Sequence, residues 1–319
     1  MSDIFCKIDL ADIDFENKKY LLDLSDQAHA CLTRAIKETG FTIPPVVKPS
    51  NHKYVIISGF NRIRAVTKLN IGQIWVQVLS ENVSDPDCAK IAIASLSFKR
   101  PLMQVELIRS VNLLKPFLND KQIATMSKAL FNASISTHHI ASLSKIGKLP
   151  DPALKLIQNR RLSIKAAKVL TQLDDKTAAA YMHIFGEIKA SASKQHEIIT
   201  CAKEIAAANQ TTPHALLISD DIMQLIHNKD VDSVSRADQL RHFLFTQRYP
   251  ELARERRRIN DLIAALNFST WAKITPPKYF ESPYYQISFK VKNLKEYVKK
   301  TTPLLDKRNI DIIKDILGS

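Results

Sequence analysis

The chain is poor in glycine, with six in 319 residues, and that scarcity argues against glycine-rich sandwiches and solenoids. Its four cysteines, Cys6, Cys31, Cys88 and Cys201, are scattered, with no Cys-x-x-Cys pair and no histidine at metal-ligand spacing beside them. They read as reduced, buried thiols of a cytoplasmic protein, and no metal site is expected from them. No stretch approaches the roughly 18 apolar residues a membrane span requires. The opening MSDIFCKIDLADIDFENKKY is acidic and lacks the apolar core of a signal sequence, so a cytoplasmic or nucleoid-associated location is expected.

What is present is an ordinary globular mixture, 45% apolar and 24% charged, long enough for a sizeable core and two or three domains. Long Ala/Leu/Ile/Lys stretches favour helix, so the expected class is α+β, mostly α. A formal net charge of +14 points to a polyanionic partner, nucleic acid first and an anionic membrane surface second.

The most informative stretch is Tyr54 to Leu69, YVIISGFNRIRAVTKL. Tyr54-Val55-Ile56-Ile57 is a short apolar, β-branched run that predicts a strand covered on both faces. Gly59 supplies the positive φ of a tight strand-to-helix turn, and Asn61 is the expected N-cap of a helix running to about Leu69. The amides of that helix would face an anion. Arg62 and Arg64 fall in its first turn, where cations oppose the helix dipole unless something negative lies near. That negative group is either a bound anion or the carboxylates of the acidic N-terminal segment.

Around this stretch, residues 3 to 25 read as one or two short strands and Gln27 to Thr39 as a helix closed by Gly40. Val46-Val47 pairs with Tyr54 to Ile57 through the Pro49-Ser50-Asn51-His52 turn, and Ile74 to Leu79 adds a strand. Together they predict a small α/β domain over residues 1–93.

The succession LTRAIKETGFTIPPVVKP, YVIISGFNRIRAVTKL and a strand resembles the N-terminal domain of the ParB-like partition proteins. Gly40, Pro44, Gly59, Arg62, Arg64 and Ala65 stand at the positions of the family's helix-ending glycine, proline-led strand and Gly-x-x-Arg-x-Arg-Ala turn-helix. The resemblance implies a nucleotide site at Gly59, Asn61, Arg62 and Arg64 for CTP or another nucleoside triphosphate, with nucleotide and DNA together closing a dimer into a clamp. The departures are Ile43 for the family's glutamine and Phe60-Asn61 for its Glu-Arg pair. In ASLSFKRPLMQVE, Lys99 or Arg100 and Glu106 align with the family pattern. Ser95, Leu96 and Ser97 offer no carboxylate for Mg²⁺ or for a general base, so no catalytic residues are assigned and hydrolysis is not expected.

A helical domain is expected over residues 94–210. Leu102, Val105, Leu107, Ile108, Val111 and Leu114 give residues 101–118 an apolar face. Asn119-Asp120 caps KQIATMSKALF, and Ser134 or Ser136 caps STHHIASLSKIGKL. This pair resembles the family's helix-turn-helix, with a longer turn. Ile140, Leu143 and Ile146 share one face with His139 near it, leaving Thr137, His138, Ser142 and Lys145 outward as candidate groove contacts. Arg160 and Arg161 are candidate phosphate anchors, with Lys165 and Lys168 beside them. The His138-His139 pair has no carboxylate or cysteine at helical spacing, so no metal is assigned there.

Residues 211–319 form the third expected region. In ELARERRRINDLIAALNF, Leu252, Ile259, Leu262, Ile263 and Leu266 make one stripe while Arg254, Arg256, Arg257 and Arg258 lie off it, a solvated face or a grip on nucleic acid. Tyr285, Ile287, Phe289 and Val291 alternate as a half-buried strand within Tyr284 to Val291, and helices Leu294 to Leu305 and Arg308 to Leu317 follow to cover it. Such an element suggests a homodimer. The expected function is a ParB-like DNA-binding protein of plasmid or chromosome partition, or a related nucleoid or transcription role, on double-stranded DNA and with a partition ATPase as a further partner. The alternatives are a degenerate adaptor without ligand, and a nuclease or nucleotide-dependent enzyme on the same fold.

Overall fold

A computed structural model describes residues 4–23, 30–268, 270–277, 280 and 282–318. The chain separates into two compact units, Met1–His196 with Leu217–Ala237, and Glu197–Leu216 with Asp238–Ser319.

The first unit begins with a four-stranded sheet. β1 (Ile4–Asp9), β2 (Val46–Ser50), β3 (Lys53–Ser58) and β4 (Gln73–Val78) lie in the order β1-β4-β2-β3. The β1/β4 and β2/β3 pairs are antiparallel and β2/β4 is parallel. The expected strand at Tyr54 to Ile57 is there, with Val55, Ile56 and Ile57 buried. Its hairpin is tighter than the sequence suggested. Pro49 and Ser50 belong to β2, Ser50 pairs with Lys53, and Asn51 and His52 alone turn the chain at φ 48° and 63°. Both central residues at positive φ make the turn whose twist matches that of the flanking strands, a geometry asparagine tolerates well.

Two helices, α1 (Ala30–Thr39) and α2 (Phe60–Lys68), pack together beside this sheet. Gly40 ends α1 at φ 70° and donates its N–H to the Ile36 carbonyl at 2.9 Å, the expected left-handed cap. The first residues of that expected helix, 27–29, lie outside the described residues, as do residues 3, 24 and 25 of the expected strands. Val47, Ile56, Ile63 and Val76 form the core between sheet and helices.

The rest of this unit is helical: α3 (Asp85–Ser97), α4 (Gln104–Leu114), α5 (Asp120–Phe131), α6 (Thr137–Ile146), α7 (Asp151–Gln158), α8 (Ile164–Leu170), α9 (Asp175–Glu187), the start of α10 (Ala192–Ala208), and the returning α12 (Asp220–His227). The apolar helix expected at 101–118 is shorter because Pro101 and Leu102 precede its first turn. Asn119 caps α5 by accepting from the Gln122 N–H at 2.9 Å, and Gln122 returns a bond to the Asn119 N–H at 2.9 Å. Of the two serines offered as caps for α6, the structure uses Ser136, which accepts from the His139 N–H. Ile140, Leu143 and Ile146 are buried, as their spacing required.

The second unit contains the end of α10, α11 (Pro213–Leu217), most of α13 (Ser233–Arg248), α14 (Pro250–Ala264), a two-stranded sheet of β5 (Ala272–Thr275) and β6 (Gln286–Phe289), α15 (Leu294–Thr301) and α16 (Lys307–Leu317). Ile259, Leu266, Phe268 and Ile316 form its core. The charge run of α14 is largely neutralised on its own surface. Arg254 pairs with Glu251 at 2.6 Å, Arg258 with Glu255 at 2.7 Å, and the Arg256 guanidinium lies over the Phe245 ring. The expected burial of β6 is only partial: Tyr285 and Phe289 pack on the core, whereas Ile287 and Val291 are exposed. The following helices differ, since α16 buries Ile316 while α15 buries no side chain and leaves Leu294 76% exposed.

The architecture is thus α+β and mostly helical, with one small sheet at each end of the chain. All four cysteines are free thiols; Cys88 and Cys201 are buried, Cys6 is half-buried and Cys31, contrary to expectation, is exposed on α1. Among the described residues no helix is long and apolar enough to cross a membrane.

Candidate functional site

The strand-to-helix turn after β3 is made by one residue. Gly59 sits at φ 103°, and a Cβ there would lie 3.0 Å from Pro45 Cα and 2.9 Å from the Arg62 guanidinium. Glycine alone fits both the conformation and the space. It is also the N-cap of α2, so Asn61, expected in that role, lies inside the first turn instead. No acidic residue occupies that turn and no side chain caps it. The positive end of the helix dipole therefore has no counter-charge from within its own first turn.

This helix end opens into a cavity of about 440 Å³ in the first unit, lined by Gly59, Asn61 and Arg62 from α2, Asp23 from the N-terminal segment, and Lys99 and Arg100 from beyond α3. Three of the four residues assigned to a nucleotide from sequence thus share one cavity. Arg64 does not line it, and donates to Asn61 Oδ1 at 3.1 Å. Among the described residues Arg62 pairs with no carboxylate of the acidic N-terminal segment. Its guanidinium donates to the carbonyls of Ile43 and, at 2.9 Å, Pro44, clamping the loop before β2. Burial lowers its pKa.

Lys99, aligned with the family pattern as an alternative to Arg100 but given no site role from sequence, is a further cation here. It faces the same cavity, has no ion pair among the described residues, and has its pKa lowered by burial and then by the charge of Arg62. Arg100 is different. Its guanidinium grips Glu106 through two bonds of 2.8 and 2.6 Å, and this bond to Glu106 raises its pKa. Glu106, 1% exposed, also accepts from the Met103 N–H at 2.7 Å, so its carboxylate is fully engaged. Ser95 and Leu96 line the cavity, whereas Ser97 turns away and donates to the Leu130 carbonyl at 2.6 Å.

Asp23 is the other carboxylate on the wall. Asn61 Nδ2 approaches it at 3.4 Å and Gln158 Nε2 at 3.5 Å. The chemistry on offer is therefore an anion cradle: backbone amides at a helix N-terminus, a tethered guanidinium and an unneutralised ammonium.

A second surface lies on the helix pair α5–α6, joined by residues 132–136. Thr137, His138 and Lys145 are exposed on α6, Ser142 is half-buried, and His139, expected nearer the apolar face, is exposed as well. α6 packs on α4, α5 and α8, which fixes its outward face. Arg160 is exposed in the turn after α7 at φ 56°, while Arg161 is half-buried and its carbonyl accepts from Gln195 Nε2 at 2.7 Å. That bond ties the double-arginine turn to α10.

Residues 2–95 match the ParB N-terminal domain family. The chain is 27% identical over 199 residues to the nucleoid occlusion protein of Listeria monocytogenes serotype 4b (strain CLIP80459), covering 60% of this chain and 67% of that protein. It is 29% identical over 157 residues to the probable chromosome-partitioning protein ParB of Campylobacter jejuni, 46% of this chain and half of that one. Among solved structures it is similar to C-terminally truncated ParB from Caulobacter crescentus complexed with CTP-γ-S, at 18% identity and a TM-score of 0.27 over 58% of this chain and 99% of that one. The same protein complexed to the centromeric parS site gives 16% identity and a TM-score of 0.33 over 60% and 96%. The N-terminal sheet and the Gly59 turn lie within the match over residues 2–95, so this stretch is a ParB N-terminal domain, in a chain that is similar to nucleoid occlusion and ParB proteins beyond it.

Proposed function

We propose that this protein is a nucleoid-associated DNA-binding protein of partition or nucleoid occlusion, whose N-terminal cavity takes a nucleoside triphosphate, CTP first, as a conformational ligand. The observation that carries the nucleotide reading is the pair Arg62 and Lys99. Two desolvated cations face one cavity at a helix N-terminus that no side chain caps, and the charge of Arg62 lowers the pKa of Lys99. A polyphosphate relieves both the repulsion and the open dipole. Gly59, Asn61 and the α2 amides hold the phosphates, and Lys99 supplies the charge that the tethered Arg62 does not. Asp23 is the carboxylate positioned to meet an Mg²⁺ carried in with the nucleotide.

Double-stranded DNA is read by α6, with Thr137, His138, Ser142 and Lys145 toward the groove and Arg160 and Arg161 on phosphates, in a helix-turn-helix arrangement. The exposed apolar side chains of the C-terminal unit, Tyr284 at 82%, Leu294 at 76% and Leu305 at 78%, support a homodimer through that unit. A partition ATPase is a further partner on the family resemblance.

The test is thermal stability with CTP, ATP, GTP and UTP, beside binding to a fragmented genomic library across a salt series. CTP raising the melting temperature of the wild type and not of Lys99→Glu supports the site. No shift with any triphosphate removes it. Lys145→Glu losing library binding while folded supports the assigned face, and binding unchanged in that variant removes the face.

A further inference from the structure

α9 and α12 are joined by a contact that neither nucleotide nor DNA binding uses. His183 on α9 and His227 at the end of α12 place their Nε2 atoms 3.1 Å apart, with ring planes at 60° and centroids 5.2 Å apart. The nitrogens, and not the ring faces, make the contact. Both imidazoles are exposed.

The spacing has a consequence for coordination chemistry. A metal ion about 2.0–2.1 Å from each nitrogen would subtend an angle of roughly 98° at this separation, between the square and tetrahedral values. The backbone is already braced to keep it. Ile222 and Ile226 of α12 are fully buried, Arg236 donates to the Ile226 carbonyl and lies 3.9 Å from Glu187, and the Lys189 N–H donates to the Ser233 carbonyl at 2.8 Å. Glu187, one turn after His183, faces Arg236, so the charge nearest the pair on α9 is already balanced. Without metal, the two Nε2 atoms share a hydrogen bond, one ring donating to the other.

We propose that His183 and His227 form a two-histidine site for a divalent transition-metal ion of the zinc, nickel and copper class, clamping α12 onto α9. Among the described residues no third histidine, cysteine or carboxylate completes a cluster. The remaining positions are therefore open to water or to a ligand from another molecule, which makes this a clamp and not a closed structural site.

The test uses the untagged full chain. ZnCl₂ and NiCl₂ are titrated while the melting temperature is followed, and one equivalent of Cu²⁺ is examined by electron paramagnetic resonance. At tenfold excess over the midpoint the melting temperature is expected to rise by about 3 °C. The rise is lost in His183→Ala and in His227→Gln, and is kept in His242→Ala, which removes an exposed imidazole elsewhere. The Cu²⁺ spectrum is expected to show two equatorial imidazole nitrogens in the wild type and to lose that pattern in either site variant. No shift with any of the three ions overturns the proposal, as does a shift or a two-nitrogen spectrum that survives His183→Ala.

Discussion

A methyl group at position 147 tests how tightly α6 is held. Gly147 ends α6 at φ −67°, an ordinary helical value, so its replacement by alanine carries no conformational penalty and on that count alone would stabilise by about 0.4–1 kcal/mol. Space decides otherwise. A Cβ there would lie 1.9 Å from Asn112 Nδ2 and 2.4 Å from its Cγ. Asn112 cannot simply step aside, because that amide donates to Ile108 O at 2.9 Å and to Leu143 O at 3.3 Å, linking α4 to the last turn of α6. Losing two such bonds costs about 1 kcal/mol each. Displacing packed neighbours adds about 1–3 kcal/mol. Gly147→Ala is therefore expected to destabilise by about 2–4 kcal/mol net. Urea unfolding followed by circular dichroism reads this as a lower midpoint at unchanged slope. Asn112→Ala vacates the space, so in that background Gly147→Ala should cost almost nothing. A Gly147→Ala cost below about 0.5 kcal/mol, or an equal cost in both backgrounds, would refute the reasoning.

Gly59→Ala meets both strain and crowding, and should destabilise by about 1–3 kcal/mol and abolish the CTP-induced melting shift; a variant as stable as wild type would contradict the assigned turn. Glu106→Ala strips two bonds from Arg100 and one from the Met103 N–H, with an expected loss of about 2–3 kcal/mol in urea unfolding. Asp85 accepts from Lys19 at 2.6 Å and from Tyr20 at 2.9 Å, and the Lys19 bond, then the Tyr20 bond, lowers its pKa. A carboxylate with a depressed folded pKa contributes stability above its unfolded value of about 3.9, and that contribution fades as pH falls through the folded value. The stability gap between wild type and Asp85→Asn should accordingly be widest near neutrality and close in acid; a gap independent of pH would count against the pairing.

The pieces legible in the sequence are those whose cause is local. The β-branched run before Gly59, the cap at Asn119 and the buried face of α6 each follow from a few neighbouring residues, and each formed where expected. Arg62 was misleading because its partners are backbone carbonyls 18 and 19 residues upstream, which leave no trace in side-chain chemistry. Lys99 escaped assignment for a related reason: its value lies in facing Arg62 across a cavity, and nothing in its own neighbourhood announces that. Asn61 was displaced from the cap because Gly59 alone fits beside Pro45, a contact between segments. In the C-terminal unit the alternation of Tyr285, Ile287, Phe289 and Val291 gave the strand, but only its first and third members found cover within the chain.

The uneven exposure of the four thiols turns the chain into its own reporter. Cys31 is open to solvent, Cys6 half-covered, and Cys88 and Cys201 are buried with their thiol pKa raised by that burial. A maleimide dye should therefore enter at Cys31 first, beside Leu32 on the cavity wall, giving a fluorophore next to the proposed nucleotide site without any engineered cysteine. The two slow thiols sit one in each compact unit, Cys88 in the first and Cys201 in the second. Their separate labelling rates would then clock the opening of each unit independently, from a single native sample.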